Sequence, residues 1–234
     1  LYNLLINLIL VEGDFRIRIS SIEPNLLTNE IINLTAESEK LCNHFHIPLQ
    51  SGSDTILRSM QRRYTCDDYR RVILKSNQLI SDIGIGVDVI VGYPGESEKE
   101  FMETYNLLLE LPISYLHVFT YSERPDTKAL TISESVDPVE RKRRSRMLRI
   151  LSDKKKNDFY NRMIGKNLDV LFESKGEDDL IKGFSSNYVR VQSRFQNNLE
   201  NQVCKVAIQG IEKGLAYGEI KEIKNSVALE ISSI

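Results

Sequence analysis

The sequence predicts an α/β fold: a parallel sheet or barrel in its first 137 residues, then a small antiparallel β-barrel after residue 165. Three observations predict it. Apolar strands alternate with amphipathic helices as far as Tyr121, over mostly short connections. A long basic helix follows. After Gly165 the chain changes to short alternating segments divided by turn residues.

The elements follow in order. Leu1, Leu4, Leu5 and Leu8 recur at helical spacing, and Gly13-Asp14 breaks that helix. Phe15 to Ser21 alternates with period two, which predicts a strand. Asn25–Lys40 is helical, with Thr28 a candidate cap. His44–Leu49 is a second strand. Ser53–Met60 is a short helix, and Thr65 caps a longer one to about Ser81. Ile83–Val91, rich in Ile and Val, is a third strand. Glu98–Leu111 is a helix, Tyr115–Tyr121 a fourth strand, and 122–137 a polar loop. Pro138–Met163 is the long helix. Leu168–Phe172, Tyr188–Gln192, Val203–Ile208 and Ala216–Ile220 are the short strands of the terminal module. The expected domains are therefore 1–137, a connecting helix 138–164, a barrel 165–226 and a tail 227–234.

With 41% hydrophobic and 27% charged residues the chain has material for a core. Three cysteines, Cys42, Cys66 and Cys204, are too few and too scattered for a disulfide framework, so a reducing cytoplasm is the expectation. No membrane span or signal peptide is legible. The net charge of −2 conceals polarity, because residues 138–166 hold eleven Lys or Arg against three acids. Charge runs are usually solvated faces. Here Arg141, Arg143, Arg144 and Arg146, with Arg149 and Lys154–Lys156, have few acids to pair with and suit a phosphate backbone.

In parallel α/β folds, loops after the carboxyl ends of strands carry the chemistry. Here they are Ser20–Pro24, Gln50–Ser53, Gly92–Glu96 and Tyr121–Pro125, all dense in hydroxyls, carboxylates, glycine or proline. Ser20, Glu23, Gln50 and Ser51 are suited to a ribose or an amino-acid headgroup, and equally to helix caps. Gly92-Tyr-Pro-Gly-Glu96 is either an anion-binding turn or a strand-to-helix turn that needs glycine. His44 and His46 lie two apart on a strand and face the same way. No third ligand stands near them in the sequence, so they are read as hydrogen-bonded structural histidines, with no metal site. The cysteines are read as buried thiols.

Five segments then point to one family. Arg16-Ile-Arg-Ile-Ser-Ser-Ile-Glu-Pro24, His44-Phe-His-Ile-Pro-Leu-Gln-Ser-Gly-Ser-Asp54, Met60-Gln-Arg-Arg-Tyr-Thr65, Asp88-Val-Ile-Val-Gly-Tyr-Pro-Gly-Glu96 and Tyr115–Thr127 resemble, in order and spacing, the radical S-adenosylmethionine (SAM) methylthiotransferases. Gly183-Phe-Ser-Ser-Asn-Tyr-Val-Arg-Val191, with Val203–Ile220, resembles their terminal RNA-binding β-barrel, the TRAM module. Gln50-Ser-Gly-Ser53 is similar to the tRNA-modifying branches. His44-Phe-His46 and Gly183–Tyr188 most resemble the branch acting on N6-threonylcarbamoyladenosine at tRNA position 37, and the isopentenyladenosine branch is next.

The resemblance implies a partial radical SAM-type (β/α) barrel. It also implies S-adenosylmethionine, two 4Fe–4S clusters in the full-length enzyme, and tRNA as partner. Ser20, Glu23, Gln50 and Ser51 would then lie near the cofactor's methionine and ribose. Ile90 and Gly92 would flank its adenine, and Arg62 or Arg63 would neutralise a carboxylate or phosphate. Tyr188 and Arg190 would join the RNA surface. The departure is the C-x-x-x-C-x-x-C cluster motif, which this sequence lacks. The expectation is the carboxy-terminal part of a longer, monomeric enzyme that binds no cluster by itself. The rival expectations are a non-catalytic RNA-binding protein on a degenerate barrel, and an unrelated phosphate-binding barrel enzyme using Gly92–Glu96.

Overall fold

A computed structural model describes residues 1–125, 127–132, 134–175, 179–196 and 199–224. The expected tail 227–234 lies outside them. The first part runs α1 (Tyr2–Ile9), β1 (Ile17–Ile19), α2 (Asn29–Glu37), β2 (Leu41–His46), α3 (Asp54–Ser59), α4 (Cys66–Leu79), β3 (Gly84–Val91), α5 (Glu98–Glu110), β4 (Tyr115–Thr120) and α6 (Pro138–Asn161). Short 3₁₀ turns at Pro24–Leu26 and Lys128–Thr131 interrupt what the sequence reads as helix and as loop. The first arises because Pro24 lacks an N–H and leads into a turn rather than a full helix.

The four strands form one sheet in the order β1-β2-β3-β4. The β2–β3 and β3–β4 pairs are parallel, with His46 opposite Gly86 and Asp88 opposite His117. Parallel pairing with helical crossovers sends alternate side chains to opposite faces. One face carries Phe45, Ile85, Val87, Val89 and Val91, all fully buried, with Leu116 and Val118 nearly so. The other carries His44 and His46, then Asp88 and Ile90, then Tyr115, His117 and Phe119. Polar side chains on that inner face, and Phe119 exposed there, leave it open for chemistry.

Helix starts are well specified. Thr65 and Asp68 form a capping box on α4, and Ser97 and Glu100 form another on α5. Tyr69 and Tyr64 of the α4 region donate their phenols to the Ile47 and Leu49 carbonyls at 2.8 and 3.1 Å, bracing the loop that leads to Gln50.

The remaining strands are β5 (Asn167–Lys175), β6 (Leu180–Ser185), β7 (Arg190–Arg194), β8 (Val203–Glu212) and β9 (Leu215–Lys224). They close a barrel in the order β5-β6-β7-β9-β8. It differs from the expected all-antiparallel module in one pair: β7 and β9 run parallel, and their pairing closes the ring. Strand β6 is not among the expected strands, because Gly183 and the polar Ser185-Ser186-Asn187 end weaken its pattern. Gly183 is needed there, since a Cβ would come within 2.2 Å of the Leu171 carbonyl. Phe172, Ile181, Val191, Cys204, Val206 and Ala216 fill the interior, with Phe159 and Met163.

The chain divides into two compact bodies. One holds Ile19–Ala36 and His44–Asp158; the other holds Leu1–Arg18, Glu37–Asn43 and the chain from Phe159 onward. The division thus falls inside the last turn of α6, rather than at 137 and 164. Helix α6 does not stand as a separate connector: Arg144, Leu148 and Leu151 are buried in the first body.

Candidate functional site

The first three strands each lead into a residue in the left-handed region: Ser21 (φ 55°), Gln50 (φ 66°) and Gly92 (φ 77°). For Ser and Gln such backbone is uncommon and is held only where surroundings fix it. Gln50 is fixed by backbone bonds, its N–H to the Asp88 carbonyl and its carbonyl from the Ile90 N–H, both 2.9 Å. The loops therefore turn sharply over one rim of the open face.

At that rim Arg62 Nη1 donates to Glu23 Oε1 at 3.1 Å, and both side chains are partly exposed. The structure so joins two residues named from different motifs. Ser20 is exposed beside them, and Gln50 is half-buried. Ile90 and Phe119 line a cleft of about 360 Å³ with Tyr121, Arg124 and Thr127. Ser51 is different. It is fully buried, with its hydroxyl turned to Thr104 and accepting from the Ser53 N–H at 3.2 Å. Its hydroxyl is thus engaged in building the turn.

Gly92 lies in the turn after β3. Its N–H donates to Glu96 Oε2 at 2.6 Å, and a Cβ there would come within 2.3 Å of Arg141 Cγ. Glu96 is buried and also meets Arg144 Nη1 at 2.8 Å. Burial pushes its carboxyl above the usual range, opposed by the Gly92 N–H and Arg144. A carboxylate of the chain itself thus fills the place an anion would take, so Gly92–Glu96 is a structural turn and not a phosphate site.

The basic helix is corrected in part. Arg141 is buried, pairs with Glu123 at 2.6 Å and donates to the Val136 and Tyr121 carbonyls. Arg144 is buried among Glu96, Glu98 and Glu140. Arg143 bridges Glu98 and Glu140, both at 2.6 Å. Hydrogen bonds from Arg143 and then Arg144 hold the Glu140 carboxyl down to about 2. Glu96, Glu98 and Glu123 from other elements, which a count along the helix does not see, neutralise these arginines together with Glu140 of α6 itself. Arg146 and Lys142 remain exposed, with no ion pair among the described residues.

In the second body Tyr188 stacks on Phe184 (ring centroids 4.4 Å apart, 10° between planes), and Arg18 lies 4.5 Å over the Tyr188 ring. Arg190 lies 4.4 Å over Phe184 and pairs with Glu173 at 2.6 Å. Both faces of Tyr188 are therefore covered, so it cannot stack on a base as it stands. The outer end of the stack is Arg18, which sequence reading missed.

Sequence reading also missed a cluster on the inner face. His46 Nε2 meets Asp88 Oδ1 at 2.7 Å, and His46 Nδ1 meets Ser21 Oγ at 3.2 Å. His117 stands edge-on to His46, centroids 5.5 Å apart. Below them His44 Nε2 meets Tyr115 Oη at 2.9 Å, and the phenol lies over Gly86, where a Cβ would come within 2.4 Å of it. The legible signal was a lone carboxylate, Asp88, in a strand otherwise of Ile, Val and Gly.

The cysteines do not converge. Cys42 and Cys204 are buried, Cys204 in the barrel interior, and burial raises the thiols of all three, Cys66 to about 12. The described residues do not fit an iron–sulfur cluster.

Comparison with known proteins gives the class. Residues 2–108 match the Radical SAM superfamily model. In fold the chain is similar to coproporphyrinogen III oxidase (HemN) from Escherichia coli, a radical SAM enzyme, with TM-score 0.52 and 13% identity over 79% of this chain and 50% of that one. More particularly, it is 37% identical over 213 residues to threonylcarbamoyladenosine tRNA methylthiotransferase MtaB of Bacillus subtilis (89% of this chain, 47% of that protein). The MtaB of Aquifex aeolicus is 44% identical over 173 residues, covering 73% of this chain and 42% of that protein. A tRNA-2-methylthio-N(6)-dimethylallyladenosine synthase of Campylobacter jejuni is 34% identical, covering 93% and 50%. By sequence the chain is thus similar to radical SAM tRNA methylthiotransferases, and it spans about half the length of the curated relatives it matches. Among the described residues no helix is long and apolar enough to cross a membrane.

Proposed function

We propose that this chain supplies the substrate-facing half-barrel and the RNA-binding barrel of a tRNA methylthiotransferase acting on N6-threonylcarbamoyladenosine at tRNA position 37. The observation that carries the reading is the rim of the parallel sheet. There Arg62 of one motif meets Glu23 of another, in a chain whose relatives at 37% and 44% identity are named for threonylcarbamoyladenosine. The relative named for dimethylallyladenosine stands at 34%.

S-adenosylmethionine and its clusters supply radical and sulfur chemistry in this family. The residues of this chain bind and orient. Ser20, Glu23 and Gln50 offer hydrogen-bond partners to an amino-acid headgroup and ribose. Arg62, tied to Glu23, presents a guanidinium to a carboxylate. Ile90 and Phe119 offer an apolar wall to a nucleobase. For tRNA, the exposed Lys142, Arg146 and Lys154 of α6 replace the buried arginines as the phosphate-facing set, and Arg18 and Arg190 serve the same end in the barrel.

The test is the nucleoside content of tRNA from cells with and without the intact gene. Loss of the methylthio derivative of threonylcarbamoyladenosine, restored by complementation, is the expected result. Loss of the dimethylallyl derivative instead would reassign the substrate. An unchanged profile, with tRNA binding retained, would make the protein a non-catalytic RNA binder.

A further inference from the structure

We propose that His46, Asp88 and His117 bind one divalent first-row transition-metal ion on the inner face of the sheet. The site is separate from any cysteine and does not rest on the methylthiotransferase reading.

The fold brings the three ligands together from three adjacent strands. His46 closes β2, Asp88 lies within β3, and His117 lies on β4 directly opposite Asp88. Their ligand atoms all fall within 4.8 Å of one another. All three histidines of the chain stand on this one face, and two of them join this carboxylate. Two imidazoles and a carboxylate form the donor set that zinc and the later divalent first-row ions prefer, whereas calcium and magnesium require oxygen ligands.

Metal–ligand bonds of about 2.0–2.2 Å place donor atoms roughly 3–3.5 Å apart. His46 and Asp88, at 2.7 Å, are already that close. His117 is exposed at the edge of the cluster, its ring edge-on to His46 and to Tyr115. Strand backbones fix the Cα positions, so closure is a side-chain rotation only.

The surrounding groups orient the first ligand. Ser21 Oγ engages His46 Nδ1, which leaves Nε2 aimed at Asp88 and the metal position. A hydrogen bond to the far ring nitrogen fixes the orientation of a ligating imidazole. Ser21 is held for this in left-handed backbone. Three protein ligands leave coordination positions open toward the exposed side, for water or a ligand atom. On binding, the metal takes the place of the hydrogen between His46 Nε2 and Asp88: the neutral imidazole carries its one hydrogen on Nδ1 instead, where Ser21 Oγ accepts it. Affinity falls in acid as the imidazoles protonate.

The experiment is calorimetric titration of the chelator-treated chain with Zn²⁺, with Co²⁺ absorption as the second readout. Expected are one site, affinity that falls as pH is lowered, and cobalt d–d bands without thiolate charge transfer. His117→Ala, at an exposed position that leaves the fold intact, should weaken binding by well over tenfold. Ser21→Ala should weaken it by about tenfold, the range typical when the group that orients a ligating histidine is removed. Cys66→Ser should change nothing. Absence of stoichiometric binding to the wild-type chain, undiminished binding in His117→Ala, or a cobalt–thiolate band would each overturn the proposal.

Discussion

At the scale of single residues, Glu96 and Arg144 carry the sharpest consequence. Each is nearly or fully buried, and the two pair at 2.8 Å. Breaking a buried pair from one side leaves an uncompensated charge and costs about 3–5 kcal/mol. Arg144→Ala, which leaves the buried Glu96 carboxyl with the Gly92 N–H, should therefore lower unfolding free energy by about that amount in urea titration, and Glu96→Ala should cost less because Arg144 keeps Glu140 and Glu98. The double variant should lose clearly less than the sum, since neither charge is then stranded. A purely additive cycle would show that the pair is not coupled. The same pair explains why charge reading along the sequence misled. Glu96 sits 48 residues from Arg144. Periodicity in the sequence places a side chain on a helix face, but it does not say which element that face meets. The His44-Phe-His46 alternation was legible as two imidazoles on one face, and that much stands. Their partners were not legible, because Asp88, Tyr115 and His117 reach them only through strand pairing across the sheet.

At the scale of elements, the strands of the parallel sheet and most helix ends followed from local chemistry. Ile83–Val91 is legible because β-branched residues suit a doubly flanked parallel strand. Thr65 and Ser97 announce their helices through capping boxes. Helix α6 was legible as a helix and not as a surface. Its arginines at 141 and 144 are internal struts, while 142, 146 and 154 point outward. A phosphate-binding role must therefore rest on the outward set. Lys142→Glu, Arg146→Glu and Lys154→Glu together should weaken tRNA binding. They should also reduce the slope of log affinity against log salt by about one for each phosphate no longer neutralised. Arg143→Glu is the contrasting variant. Its guanidinium is shared between Glu98 and Glu140, so its loss should act on stability more than on the salt slope. Filter binding of tRNA at several salt concentrations decides it, and an unchanged slope in the triple variant would confine α6 to a structural role.

For the whole molecule, the order of the chain does not match the order of its compact bodies. The body that holds the terminal barrel also holds residues 1–18 and 37–43, with the described residues from Phe159 onward. Sequence reading placed a boundary near residue 165 because hydrophobic period changes there. It could not see that the early segment belongs with the late one. Arg16 shows what that association consists of. Its guanidinium donates to the Asp169 carbonyl at 3.1 Å and the Phe184 carbonyl at 3.3 Å, on strands β5 and β6. Hydrogen bonds from a charged donor contribute about 1.5–3 kcal/mol. Arg16→Ala should thus raise amide hydrogen exchange in β5 and β6, with a stability loss of about 2 kcal/mol for the barrel. Lys205→Ala is the control. Lys205 pairs with Glu222 at 3.2 Å across two exposed side chains, and such surface pairs contribute under about 1 kcal/mol. If Arg16→Ala and Lys205→Ala leave exchange equally unchanged, the early segment adds nothing to the barrel, which would then be a self-contained module starting near Phe159. If only Arg16→Ala raises exchange, the barrel is built from both ends of the described chain, and any version of it cut at residue 159 should melt below the barrel in the intact protein.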